Sequence, residues 1–226
     1  MAKIKFGALM VDARGKIGGT VFSKNRSGAY IRNKVTPSNP QTESQMAARS
    51  ALSGFASGFR GLTLAQIDAW NAAVNDYQST NVFGDTVKKT GLNLFVGLNS
   101  IRTLLGLSQL NDPPAPVEVP FTTVTVSDDD AAALDLDLDA IPVGNTYIVE
   151  ATQPVSPGRN NINNLFRVIG TIAGTGAAIT GSSQAANYAA KFGAPAVGQK
   201  VGFRVKVAVN ATGQTGLPAT AQAIVS

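Results

Sequence analysis

Four prolines within ten residues divide this chain into two parts with different patterns. Residues 111–120 read NDPPAPVEVP, and because proline lacks a backbone N–H and restricts φ, such a run favours an extended linker. The residues before it combine a basic stretch with helical periodicity, whereas those after it alternate with the period of two that strands require. We therefore predict a basic extended arm over residues 1–36, a helical domain over 37–112, a proline-rich linker over 113–120 and a β domain over 121–226.

Alternation in the C-terminal part predicts half-buried strands. In ALDLDLDAI, residues 133–141, three leucines fall on one face and three aspartates on the other. In KVGFRVKVAVN, residues 200–210, Phe203 and the valines face the predicted core, opposite Arg204 and Lys206. One helical turn is predicted near Tyr188, and further candidate strands cover residues 121–126, 145–155, 164–172 and 219–226.

Six or seven strands in about 110 residues are typical of a β-sandwich of the immunoglobulin or fibronectin III type.

The first part of the chain predicts a basic β-hairpin, because TVFSK and GAYIR read as two strands around a turn at residues 25–28. KIKFGALM, residues 3–10, reads as a further short strand, and glycines at positions 15, 18 and 19 are expected to loosen the chain. The predicted fold class is therefore α+β, with a hairpin arm and short helices before an all-β sandwich.

The stretch VTPSNPQT, residues 35–42, predicts the start of the first helix. Either Asn39 or Thr42 can serve as the N-cap, Pro40 suits a first helical position, and Thr42 with Gln45 matches a capping box. Pro37 and Pro40 restrict the backbone in this turn before the helix, and so they fix the direction of the step from the arm to the helices.

Helical periodicity continues after this turn. The first helix is predicted to end near Phe59, with Leu52 on its apolar stripe. A second helix is predicted over residues 64–77, again after a capping box, and a third over residues 91–105. Trp70 lies on the apolar stripe of the second helix, so we expect it to pack in the core.

Positive charge is concentrated at the N-terminus. The formal net charge of +5 divides into +7 for residues 1–112, which hold 13 basic and 6 acidic side chains, and −2 for residues 113–226, which hold 6 and 8. Residues 1–34 carry eight basic groups and a single acidic one, Asp12. The positive field therefore belongs to the arm and not to the body of the protein.

Six side chains are predicted to form the interaction surface of the arm: Lys16, Lys24, Arg26, Tyr30, Arg32 and Lys34. Arg32 and Lys34 share a strand face with Tyr30, whose ring can stack on a base while the cations contact phosphates. The same cations can instead contact an acidic protein in an assembly. A plain solvated surface is the third interpretation.

The absence of cysteine and histidine from the sequence excludes thiolate metal sites, histidine-ligated zinc and a Ser-His-Asp triad. ARGKIGG fails the phosphate-loop pattern because Met10 stands where the first glycine belongs. DLDLDA fails the calcium-loop pattern because Ala140 occupies its sixth position. The enzyme alternative is a glycosidase with two carboxylates, but none of the three glutamates, Glu43, Glu118 and Glu150, lies in a recognisable site. We predict no catalytic residue, no cofactor and no metal.

No apolar run approaches the ~18 residues of a membrane span. Asp12 and Arg14 interrupt the short apolar stretch near the N-terminus, so we predict neither a signal peptide nor a membrane partner. The expected place of synthesis is a cytoplasm, followed by use there or by packing into a particle.

Two motifs in the first half resemble a protein family. They are GK-x-GG-x-VFSK-x-R-x-GAY-x-R-x-KVTP-x-NPQT-x-x-Q over residues 15–45 and GLT-x-AQ-x-x-AWNA over residues 61–72. Both are similar to motifs of small tailed-bacteriophage proteins, many of which are predicted virion components. DPPAPV at the linker also resembles this family. After residue 118 the resemblance is limited to YAAKFG and VGQKVGFRVKV.

The resemblance implies a structural component of a phage virion and brings no catalytic residue. It implies a location in the virion, made in the host cytoplasm, with other virion structural proteins and further copies of the chain as partners. The arm and helices would dock, and the β domain would project or bridge copies. Capsid decoration, head–tail connection and the tail remain open as positions. The alternative function is a nucleic-acid-binding protein that contacts phosphates through the basic hairpin.

Overall fold

The computed structural model of the chain describes residues 2–8 and 10–226. Within these residues the chain forms four α-helices and several antiparallel sheets, which confirms the predicted α+β class. It divides into two compact units. The helical unit comprises the residues up to Asn99 together with Leu110–Ala115, and the β unit comprises Ser100–Gln109 and Pro116–Ser226.

The helices are α1 (Glu43–Arg60), α2 (Leu64–Ala73), α3 (Gly91–Leu104) and α4 (Ala185–Phe192). The first six strands are β1 (Ala2–Lys3), β2 (Gly15–Ile17), β3 (Thr20–Asn25), β4 (Gly28–Asn33), β5 (Ser79–Thr80) and β6 (Thr86–Val87). The strands of the β unit are β7 (Val124–Asp128), β8 (Asp135–Leu138), β9 (Asn145–Ala151), β10 (Arg167–Ala173), β11 (Ile179–Ser183), β12 (Lys200–Val209) and β13 (Ala219–Ile224). In the part of the chain that the structure describes, no helix is both long and apolar enough to cross a membrane.

The helical unit begins with a four-stranded antiparallel sheet in the order β1-β4-β3-β2, which we call the arm sheet. Its strands β3 and β4 form the predicted hairpin, in which Asn25 pairs with Gly28 across a two-residue turn. Gly28 has a φ of 101°, a conformation that favours glycine. The side chain of Asn25 accepts a hydrogen bond of 2.9 Å from the backbone amide of Ser27, which stabilises the turn.

Two expectations for the arm sheet differ from the structure. Among the described residues of the stretch 3–10, Lys3 alone lies in a strand, the two-residue β1, and Leu9 lies outside the described residues. Of the three glycines that were expected to loosen the chain, Gly15 begins β2, which pairs with β3, whereas Gly18 and Gly19 form the turn between these two strands. Backbone hydrogen bonds to a neighbouring strand thus outweigh the low strand propensity of glycine.

The start of α1 distinguishes between the two predicted N-caps. Thr42 is the N-cap, and its Oγ1 accepts a hydrogen bond of 3.4 Å from the amide of Gln45. Asn39 is therefore not the cap, and Pro40 precedes the helix instead of occupying its first position. The capping box predicted before α2 is complete, so this local signal identified the start of the second helix correctly.

The core of the helical unit forms around Trp70, whose predicted burial is confirmed. Its buried apolar side chains are Trp70 of α2, Val74 just after α2, and three residues of α3, namely Leu94, Phe95 and Leu98. The rings of Trp70 and Phe95 meet edge to face, with centroids 5.3 Å apart. The indole N–H donates a hydrogen bond of 2.7 Å to the carbonyl of Asn111, which satisfies the one polar group of this buried ring.

Two details of the helices differ from the prediction. α2 ends at Ala73, four residues early, because the amides of Asn75, Asp76 and Tyr77 bond to carbonyls three residues before them in successive turns. Leu52 was expected on the packed stripe of α1, but its side chain is 56% exposed. The packed part of α1 is therefore restricted to its C-terminal end.

Two antiparallel sheets contribute to one core in the β unit. One sheet has the order β10-β9-β12-β13 and the other the order β11-β8-β7. Their inward side chains form a single hydrophobic cluster, which includes Leu136 and Leu138 of β8 and Val201, Phe203 and Val205 of β12. The alternation predicted from the sequence is confirmed in both of these strands.

The region between β10 and β12 contains the largest departures from the sequence prediction. β11 was missed, because its sequence ITGSS has a single large apolar residue, and it pairs with β8 through an irregular register. The helical turn predicted near Tyr188 is the eight-residue helix α4. The hydroxyl of Tyr188 donates a hydrogen bond of 2.9 Å to the carbonyl of Thr152, and burial raises the pKa of Tyr188.

Replacing Phe95 with alanine should destabilise the helical unit by about 3–5 kcal/mol, because the change removes a fully buried ring. That ring contacts both Trp70 and Phe59. Trp70 is the sole tryptophan, so urea unfolding followed by tryptophan fluorescence reports on this core. Leu64→Ala is the matched control: Leu64 is 74% exposed, and its truncation should change the free energy of unfolding by less than about 0.5 kcal/mol. Equal unfolding midpoints for the two variants would contradict the described packing.

Candidate interaction surface of the basic arm

The register of the arm sheet determines which side chains share a face. Directly paired residues in an antiparallel sheet point to the same side, and successive residues along a strand alternate. Lys16 pairs with Val21, and Val21 pairs with Arg32. These three side chains therefore form one row across β2, β3 and β4, with a cation at each end.

A second row lies on the same side of the arm sheet. Ser23 pairs with Tyr30, and Tyr30 pairs with Lys3 of β1. We call this side the basic face and define it by Lys3, Lys16, Val21, Ser23, Tyr30 and Arg32. A strand spacing of about 4.8 Å places the Cβ atoms of its three basic residues within roughly 15 Å of one another.

Three of the predicted arm residues, Lys16, Tyr30 and Arg32, come together on the basic face. Sequence interpretation missed Lys3, whose ammonium group also donates a hydrogen bond of 2.9 Å to the carbonyl of Ser27. The alternation of Lys, Ile and Lys at residues 3–5 is a weak strand signal. The sequence contains no local sign that this strand pairs with β4, which lies 25 residues or more away along the chain.

The other three predicted arm residues lie elsewhere. Lys24 pairs with Ala29, one position out of phase with Ser23 and Tyr30, and so it belongs to the opposite side of the sheet. Arg26 lies in the hairpin turn, and Lys34 follows the end of β4. Arg32, Lys34 and Tyr30 were predicted to share one strand face. Arg32 and Tyr30 do share a face of β4, but Lys34 lies beyond the end of that strand.

None of the six residues that define the basic face is acidic. Lys16 and Arg32 are exposed, and neither forms an ion pair among residues 2–8 and 10–226. Tyr30 is half-buried between the two rows. A surface with several cations around an aromatic ring, and without a carboxylate, attracts an anionic partner.

An ion pair connects the N-terminal segment to the β5–β6 turn in the same unit. Lys5 Nζ lies 3.0 Å from Asp85 Oδ1 and 5.2 Å from the centroid of the Phe83 ring. The hydrogen bond from Lys5, supported by one from Asn81, holds the pKa of Asp85 below its ordinary value. Lys5 is therefore engaged within the unit, which distinguishes it from Lys16 and Arg32.

The turn before α1 is exposed throughout, as is every residue from 32 to 54. Within it, Asn39 Oδ1 accepts a hydrogen bond of 2.6 Å from the guanidinium group of Arg49. Gln41 adopts a φ of 50°, an uncommon conformation for a residue other than glycine. The predicted residues of this turn are all accessible to a partner: Pro37, Asn39, Pro40, Thr42 and Gln45.

No described residue before Trp70 is buried. A small sheet needs a covered apolar face for stability, and a helix of about 12–15 residues is marginal in water without packing. The residues of the arm sheet are exposed or at most half-buried, and the first twelve residues of α1 are all exposed. This pattern is typical of a segment that packs against a neighbouring molecule.

No family model, curated protein or solved structure matches the chain. The geometry and charge of the basic face, together with the exposed turn and α1, are therefore the observations from which a function can be argued.

Replacing Lys5 with glutamine should raise the pKa of Asp85 toward its ordinary value, because the change removes the largest cause of its lowering. The folded-state pKa lies below the unfolded one, so this interaction stabilises the fold above the unfolded pKa and is lost as the pH falls through the folded pKa. An NMR titration of the carboxyl carbons in wild-type and Lys5→Gln protein measures the change. An identical Asp85 titration in both proteins would show that the ion pair does not form in solution.

Proposed function

We propose that this protein is a structural component of a tailed-bacteriophage virion. It docks onto other virion proteins through its basic arm and the exposed start of its helical unit. The β unit projects from the particle or bridges copies. The motifs over residues 15–45 and 61–72, which resemble those of small phage proteins, support this proposal.

The observation that carries the proposal is the lack of burial along the first third of the chain. Residues 2–8 and 10–69 form a sheet, an exposed turn, α1 and the start of α2 without one buried side chain. Contact with neighbouring proteins in a particle supplies the burial that the arm sheet and the start of α1 lack, and so stabilises elements that are marginal on their own.

The chemistry of the arm suits an acidic protein surface. Lys16 and Arg32 provide exposed charge on either side of Val21, and Tyr30 provides an aromatic anchor of the kind that contributes strongly to interfaces. β2 pairs only with Thr20–Phe22 of β3 in the described register. The remaining edge of β3 can therefore accept a strand from a partner.

We further propose that the β unit is a sandwich of the immunoglobulin or fibronectin III type. Its first, second and fifth strands, β7, β8 and β11, form one sheet, and the remaining four form the other. In a constant-type immunoglobulin domain the fourth strand belongs to the sheet of the first two. Here the fourth strand, β10, pairs with β9, which favours the fibronectin III variant.

Purified phage particles provide the test of the structural role. The chain should be detected in them by mass spectrometry, and immunogold labelling with an antibody to residues 113–226 should place it on the head, neck or tail. Gold over the head indicates a capsid or decoration protein, and gold at the neck or tail indicates a connector or tail protein. Absence from the particles by both methods contradicts the proposal.

Reversing the charge of the basic face should reduce incorporation. In particles complemented with Lys16→Glu/Arg32→Glu protein, we expect the copy number to fall about tenfold or more, since like charges at an interface cost several kcal/mol. Lys88→Glu/Lys89→Glu makes the same change in net charge at exposed positions outside the arm and should retain the wild-type copy number. Equal incorporation of both variants would argue against docking through the arm.

The position of Tyr30 favours nucleic-acid binding as a second candidate function. Its ring lies in the row next to Arg32 and is paired with Lys3. Base stacking on an aromatic ring combined with phosphate contacts from cations is the usual mode of single-strand binding.

Salt dependence of DNA binding tests this second function. The logarithm of the binding constant should fall linearly with the logarithm of the salt concentration, and Arg32→Ala should reduce the slope by about 0.7 for single-stranded DNA. Lys89→Ala, at an exposed site outside the arm, should leave the slope unchanged. Absence of binding at low salt, measured by fluorescence anisotropy, would remove this candidate.

A further inference from the structure

We propose that the acidic partner of the basic arm is the β unit of a second copy of this chain. This inference rests on the proposed structural role and names the surface that receives the arm. That surface is the outer side of the sheet β11-β8-β7.

The alternation of β8 places a row of carboxylates on this outer side. Leu136 is buried in the core, so its neighbours Asp135 and Asp137 point away from the core. Asp128 of β7 pairs directly with Asp135. Asp139 follows the end of β8 in the same alternation. We call this surface the acidic face and define it by Asp128, Asp135, Asp137 and Asp139.

The negative charge of the acidic face is not compensated. The three strands read VTVSD, DLDL and ITGSS and contain no basic residue. None of the four carboxylates forms an ion pair among residues 2–8 and 10–226. Like charges that lie directly opposite on neighbouring strands repel each other, as Asp128 and Asp135 do in the free chain.

The four carboxylates are not arranged to bind a metal ion. Within the described residues, no three acidic side chains are placed so that they could hold a metal ion. Asp137 accepts a hydrogen bond of 2.7 Å from the amide of Gly181, and Asp139 accepts one of 3.2 Å from the amide of Thr123. These contacts direct the two carboxylates toward the backbone. Long cationic side chains from another protein surface can reach the whole row without displacing these hydrogen bonds.

The basic face of the arm sheet has the complementary composition. It presents Lys3, Lys16 and Arg32 and no carboxylate. Both faces are small antiparallel sheets, so their charges follow the same spacings of about 4.8 Å between strands and about 7 Å between alternate residues. Guanidinium and ammonium groups of one copy can therefore meet several carboxylates of the next at once.

A second copy suits this contact because every chain carries both faces. The arm of one molecule binds the β unit of the next, a heterologous contact that repeats to form rings or longer arrays. Each face covers roughly 300 Å², below the ~800 Å² per partner of a standard interface. A single contact is therefore weak, and simultaneous contacts among copies held on one particle strengthen it.

Sedimentation equilibrium of the full chain measures this association directly. We expect reversible association at concentrations up to about 100 µM in low salt, weakened about tenfold or more in high salt because exposed charges are screened. A chain that stays monomeric at low salt overturns the inference.

Charge reversal identifies the two faces. Lys16→Glu/Arg32→Glu reverses the arm, and Asp128→Lys/Asp135→Lys reverses the acidic face. Each variant alone should lose self-association, and an equal mixture of the two should regain it. The wild-type net charge of +5 becomes +1 after the loss of four charge units in the first variant and +9 after the gain of four in the second. General attraction between oppositely charged molecules therefore cannot explain recovery in the mixture.

Two further variants control this experiment. Lys88→Glu/Lys89→Glu also has a net charge of +1 and should associate like the wild type. Asp128→Asn/Asp135→Asn removes the charges with little change in size, and it should weaken association even if the lysine variant does not fold, as judged by circular dichroism. Association that is insensitive to both charge reversals, an asparagine variant that associates like the wild type, or a mixture of two folded reversal variants that stays monomeric overturns the inference.

Failure of this inference can be distinguished from failure of the structural role. A chain that is monomeric in solution but present in purified particles overturns the inference alone. A chain that associates through these two faces but is absent from the particles supports the inference and overturns the structural role.

Discussion

The pairing of β9 with β12 is the interaction on which the β unit depends. On the inner side, Phe203 and Val205 of β12 are fully buried. On the outer side, Arg204 and Lys206 both contact Glu150 of β9. Glu150 is only 7% exposed, and a buried carboxylate requires such partners because the loss of one would leave an uncompensated charge. The two central strands thus combine apolar burial with a paired charge cluster, and β10 and β13 extend the sheet from them. The sheet β11-β8-β7, which carries the acidic face, packs against the inner side of this sheet.

In the helical unit, the residues that form the buried core follow the residues that are exposed and available to a partner. Its buried core begins at Trp70 and is built by α2 and α3, whereas every described residue before Trp70 is exposed or half-buried. Side chains that are not required for a core are free to be charged, so the arm can carry the positive residues found there without loss of a core. The proposed docking role and the proposed contact between copies both depend on these exposed residues. Because they contribute little to the core, they can contact a partner without a change in the packing of the unit.

Local signals in the sequence predicted the elements that depend on local interactions. The alternation of leucine and aspartate identified β8, the turn at residues 25–28 identified the β3–β4 hairpin, and the capping box at Thr63 identified the start of α2. Elements that depend on distant partners were predicted poorly. β1 is two residues long and pairs with β4, and β11 has almost no apolar pattern and pairs with β8. Each becomes a strand because a neighbour supplies its backbone hydrogen bonds, and no local propensity encodes such a neighbour.

Three features could be read from the amino-acid sequence alone: the positive charge of the N-terminal arm, the strand face shared by Arg32 and Tyr30, and the opposite directions of the leucines and aspartates of β8. Two others required the folded structure: Lys3 belongs to the basic face and Lys24 does not, and Asp128 lies directly opposite Asp135. Strand register explains this difference. A shift of one residue moves every side chain of a strand to the other face, and the register between separate strands is set by turn geometry and by the packing of the whole sheet.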